Sequence, residues 1–146
     1  MKVNFKKLLD DGKIEKVEKE IFSLDISLKD ISSAKNSFNS EDYDWSINIA
    51  YTAVLKCCMG MMQSMGYRAI GKEHHKNTFE FMKETGFDIG LIDYFDKIRK
   101  TRNKFMYGFF EENNKRNAEE TILKAEDFVQ KMRTFVHKIG TGEKNG

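Results

Sequence analysis

Late in the chain an arginine, an amide and a phenol fall close together: Arg102, Asn103 and Tyr107. Asn103 and Tyr107 stand four residues apart, a spacing that puts them on one face of a helix beside Arg102. Guanidinium and amide groups donate hydrogen bonds to phosphate oxygens without changing protonation state. Around them the run from 97 to 104 carries Lys97, Arg99, Lys100, Arg102 and Lys104 and no acidic residue. Such a density of cations attracts phosphates locally, which makes these five the candidate binding residues. Arg102, Asn103 and Tyr107 are the candidate catalytic residues if the protein is an enzyme. A helix wheel spreads the five cations, so a solvated face near Asp93 and Asp96 is the structural alternative.

Arg102 also breaks a pattern. Leu91, Phe95, Ile98, Phe105 and Phe109 form the apolar seam of a helix from about Ile89 to Tyr107, and residue 102 falls where that seam asks for leucine. A buried guanidinium needs a partner, for which Asp96, Glu80 and Asp44 are candidates, or a cleft or interface to open onto. The alternative is that Arg102 snorkels from the edge of the seam with its charge in water.

The remaining reactive side chains point to packing. His74 and His75 are adjacent, so on a helix they diverge by about 100°. No second ligand pair accompanies them, and neither a metal nor a cofactor is expected. Cys57 and Cys58 are neighbours that cannot form an ordinary disulfide with each other, which suggests a reducing, cytoplasmic setting. They and Met59, Met61, Met62 and Met65 fit a helix core. His137 suits the carboxyl end of the last helix.

The elements that must position these groups are helical. Lys2 to Leu9 reads as a short helix ended near Gly12, and Ile14, Val17, Ile21, Leu24, Leu28 and Ile31 predict one long amphipathic helix reaching Phe38. From about Asp42 to Met65 the apolar face is wide enough for a central helix, with Trp45, Ile49, Ala53, Cys57 and Met61 as its inward row. Gly66 ends it, and a shorter helix follows from about Glu73 to Thr85. Ala118, Ile122, Ala125, Val129, Met132, Val136 and Ile139 define the last helix. Short polar connections favour antiparallel neighbours, so the expected fold is all-α: an up-and-down bundle of four principal helices with one or two short extras. Residues 1–139 form its single domain and 140–146 a disordered tail.

Composition agrees and narrows the function. The 146 residues contain no proline and ten glycines, which argues against a sandwich or barrel. Twenty-five basic residues against 23 acidic ones leave a net charge of +2, so any attraction to nucleic acid must be local. The stretch Ile47 to Met62, broken by Asn48 and Lys56, falls short of a membrane span, and MKVNFKKLLDDGK lacks the apolar core of a signal peptide.

The runs YDWSINIAYTAVLKCCMGMMQSMGYRAI, HHKNTFEFM and IRKTRNKFMYG, in that order, resemble the HEPN domain family, the higher eukaryotes and prokaryotes nucleotide-binding domain. The resemblance spans roughly Leu8 to Phe135, with Arg102 and Asn103 its sharpest piece. It implies an antiparallel helical bundle, frequent homodimers and, in many members, a metal-independent ribonuclease site at the dimer cleft. Many members act as toxins or partner a minimal nucleotidyltransferase. The family's catalytic pattern is an arginine followed after four to six residues by histidine, and the matching positions here are Tyr107, Gly108 and Phe109. Tyrosine, with a pKa near 10, is a poor base at neutral pH where histidine, near 6.5, is a good one. Arg68 with His74 or His75 has acceptable spacing but straddles a loop, and is read as accidental.

The expected function is therefore a dimeric binding module whose Arg102-centred cleft takes RNA, a nucleotide or a protein partner such as a minimal nucleotidyltransferase. The enzyme alternative is a metal-independent ribonuclease using Arg102, Asn103 and Tyr107. A third, structural reading makes Arg102 an ion pair in an oligomer interface.

Overall fold

The computed structural model describes the backbone of residues 4–104 and 114–145, and the side chains of residues 4–101 and 114–139. Among these residues, six helices and one two-stranded ribbon follow in the order α1 (Lys6–Asp10), β1 (Ile14–Lys16), α2 (Asp25–Asn39), α3 (Tyr43–Ser64), β2 (Tyr67–Ala69), α4 (His74–Lys83), α5 (Ile89–Lys104) and α6 (Asn114–Asn145). The all-α class and the helical bundle expected from the sequence are what the chain adopts.

α3 is the central helix because it is apolar nearly all round. Ile47, Ala50, Tyr51, Ala53, Val54, Leu55, Cys57, Cys58, Met61 and Met62 are all buried. It packs on α2 and α6 on two sides, and α4 and α5 lean on it more lightly. Small side chains let α2 and α3 approach closely. Ser27 donates to the Ala53 carbonyl at 2.9 Å and Ser46 to the Ala34 carbonyl at 2.8 Å. As the residue number rises on one helix it falls on the other, which fixes the pair as antiparallel. The same reversal relates α5 and α6: Phe87, just ahead of α5, meets Phe135, with ring centroids 5.2 Å apart, and Tyr94 meets Thr121 at 3.0 Å.

Three expectations need correction. The long helix predicted from Ile14 to Phe38 begins only at Asp25. Ile14 instead pairs with Ala69, and Lys16 with Tyr67, in the antiparallel ribbon. Beyond the ribbon the chain stays extended because the end of α3 supplies its acceptors: the Val17 amide donates to the Gly66 carbonyl at 2.9 Å and the Glu20 amide to the Gln63 carbonyl at 3.2 Å. Gly66 permits this with a φ of 91°, and a Cβ there would lie 3.3 Å from the Val17 oxygen. Trp45 does not join the inward row. It is 57% exposed, because the first turn of α3 faces α2 through Ser46. Finally, α6 continues to Asn145, beyond the end at Ile139 that its apolar pattern predicts.

Candidate functional site

α5 begins at a built cap. An Asp88 carboxylate oxygen accepts from the Leu91 amide at 3.1 Å, and the other is held by Lys131 of α6 at 3.0 Å. These contacts hold the Asp88 carboxyl below its ordinary pKa, Lys131 contributing most and the Leu91 amide next. Leu91, Ile92 and Phe95 then face the core. On the outer side the Tyr94 hydroxyl meets Thr121, and the Lys124 ammonium lies 5.6 Å from the Tyr94 ring centre. Burial raises the Tyr94 pKa, against the opposing effect of its Thr121 contact.

One turn later the inward face becomes charged. Asp96 is 5% exposed and accepts two charge-assisted hydrogen bonds, one on each oxygen: from Arg99 Nε at 2.7 Å and from Lys83 Nζ, at the end of α4, at 2.9 Å. Lys100 Nζ stands 3.9 Å away, and Lys83 also lies 3.8 Å from Asp93. Burial pushes the Asp96 carboxyl up, but the Lys83 and Arg99 contacts outweigh it and hold the group below the usual carboxylate range.

The five cations of the 97–104 run therefore differ. Lys97 and Lys100 are exposed, whereas Arg99, grouped with them as a surface binder, is nine-tenths buried against Asp96. The inward face of α5 is phased through Ile92, Phe95, Asp96 and Arg99, one residue out of step with the seam predicted through Ile98; Ile98 is half-buried. Arg102, Asn103 and Lys104 lie in the last turn of α5; their side chains, and Tyr107 entirely, fall outside the described residues. Of the carboxylates suggested as partners for Arg102, Asp96 is already engaged and Glu80 holds Lys13 at 2.9 Å.

The Lys83 and Arg99 clasp on Asp96 was only half visible in the sequence. Asp96 and Arg99 at three-residue spacing announce a helical ion pair, but nothing local brings Lys83 to it.

The other candidates separate. Arg68 sits on β2 and pairs with Glu15 across the ribbon, while His74 and His75 open α4, their rings 4.3 Å apart and the His74 Nδ1 3.1 Å from the Gly71 carbonyl. Among the described residues no group of three His, Cys, Asp or Glu is placed to hold a metal ion. Cys57 and Cys58 are buried free thiols; burial pushes Cys57 up to about 12 and Cys58 well above its ordinary value. A groove lined by Phe87, Asp88, Lys131 and Phe135 lies at the opposite end of α5 from Arg102. No helix among the described residues is long and apolar enough to cross a membrane.

Comparison with known proteins adds to this geometry. Residues 22–135 match the family model described as HEPN domain. A protein of Methanocaldococcus jannaschii named "Putative toxin MJ0142" is 23% identical over 113 residues, which cover 74% of this chain and 75% of that protein. No solved structure matches the chain.

Proposed function

Since this chain belongs to the HEPN domain family, we propose that it is a dimeric, cytoplasmic binding module whose Arg102-centred cleft recognises the phosphates of RNA or a nucleotide. The observation that carries this reading is the last part of α5, where the exposed Lys97 and Lys100 lead into the Arg102–Asn103 pair while tyrosine stands at position 107. Arg102, Asn103, Lys97, Lys100 and Lys104 can stabilise phosphate charge. Tyr107 can donate a hydrogen bond but leaves attack by a 2′-hydroxyl without an efficient base at neutral pH. A minimal nucleotidyltransferase is the protein partner this reading assigns to the module, in a toxin and antitoxin type of pair.

The second reading, a metal-independent ribonuclease using Arg102, Asn103 and Tyr107, is favoured by the toxin name of the Methanocaldococcus relative. One experiment separates the two: incubation of single-stranded RNA with the purified protein in chelator, beside an identically prepared Arg102→Ala variant, with binding followed by fluorescence anisotropy. The binding module shifts the anisotropy of intact RNA and loses that shift in the variant. Cleavage by the wild type and not by the variant overturns the binding reading and establishes the ribonuclease.

A further inference from the structure

Of the three cations of the 97–104 run whose side chains are described, Lys97, Arg99 and Lys100, only Arg99 is taken in by the fold, and among the described residues only its Nε is hydrogen-bonded. Its side chain is 10% exposed, and its Nε is committed to Asp96 at 2.7 Å. Among the described residues no hydrogen bond reaches either of its terminal amino groups. A guanidinium carries five N–H donors in a rigid fork, and the terminal amino groups of Arg99 are not among the buried unpartnered atoms, so they stay available to a ligand while Nε is fixed. Asp96 is itself fixed from the far side by Lys83, so the fork is held by a carboxylate that is anchored to a different helix. Lys100, with a side chain 64% exposed, stands over the same carboxylate. Such an arrangement is typical of a positioned anion-binding group: the inner edge of the guanidinium is oriented by an acid, the outer donors are open, and a second cation lies beside them.

We infer that Arg99, oriented by Asp96, is a second phosphate-binding residue one helical turn before Arg102, and that Lys100 shares the bound phosphate with it. The inference rests on the phosphate-recognition reading above and adds to it a named subsite. Asp96 is a positioning residue, because it touches the arginine and not the ligand. The phosphate comes from an RNA strand or from a free nucleotide, and both sources offer the same oxygens to the fork.

The role of Asp96 gives the test its sign. Removing a negative charge beside three cations strengthens attraction to a phosphate if only net charge matters. If Asp96 aims the arginine, the same change weakens binding. Binding of a fluorescein-labelled single-stranded RNA, and of AMP by calorimetry, is measured over a range of salt for the wild type, Asp96→Asn, Arg99→Lys and Arg102→Ala, each checked for native helix content. Arg99→Lys keeps the charge and a partner for Asp96, so it carries the test even if Asp96→Asn fails to fold.

The expected result is RNA binding weakened roughly five- to tenfold in Arg99→Lys and in Asp96→Asn. The salt slope in Asp96→Asn falls by about 0.7, the loss of one single-strand phosphate contact. AMP binding weakened in parallel assigns the subsite to a terminal phosphate, and AMP binding unchanged with RNA binding weakened assigns it to the strand. Unchanged or tighter binding in both variants, with Arg102→Ala still defective, overturns this inference and leaves the broader reading standing. Absence of any binding by the wild type overturns both.

Discussion

Asp96 accepts from Lys83 and Arg99 in a space that a leucine would fill without any charge to desolvate. Such a cluster contributes little net stability when intact, yet removing its carboxylate strands the cations around it. Asp96→Asn is expected to lower stability by about 2–3 kcal/mol near neutral pH, less than for a fully buried pair because Lys83 reaches solvent. The native carboxyl lies below its unfolded value, since the two cations outweigh burial. Its contribution is therefore complete above the unfolded pKa and fades as pH falls through the native one. Urea unfolding of wild type and variant should show a gap near pH 7 that narrows as pH falls through the lowered native pKa of Asp96. A gap independent of pH would mean that shape, not charge, is what the site requires.

The sequence announced the chemistry of this region through the density of cations in 97–104, but could not say which of them turns inward. Side-chain phase drifts along a helix, and an error of one residue exchanges Ile98 for Arg99.

The elements divide by how local their causes are. α3 was legible nearly to its ends because a wide apolar face and Gly66 after it are both local signals. The stretch from Ile14 to Leu24 was not, since its apolar spacing suits a helix while its backbone partners lie some fifty residues away. Ile14 and Leu24 are buried as the pattern asks, but Ile21 is 97% exposed. Leu24→Ala should therefore cost about 2–4 kcal/mol, as for other buried leucines, while Ile21→Ser leaves the urea midpoint where it was. Equal losses at the two positions would restore the single long helix.

For the whole molecule, the modest net charge of +2 makes location decisive. Lys97→Glu with Lys100→Glu changes the net charge as much as Lys6→Glu with Lys7→Glu, at the other end of the chain. The first pair is expected to weaken RNA binding by about tenfold or more and the second by less than about twofold, read by anisotropy at fixed salt. Equal effects would show that attraction is global. The fold class at this scale was readable from the missing prolines and the short polar connections. The ribbon was not, because three residues on each side carry too little pattern to stand out.

That ribbon joins positions separated by the whole of α2 and α3. Closing so long a stretch as open chain is entropically costly, whereas two helices already lying side by side deliver its ends together. The strands are thus expected to pair after the helical pair has formed. Exchange of the Val17 and Ile70 amide hydrogens, which donate to Gly66 and Lys13, is therefore expected to be at least as fast as any opening of α2 from α3.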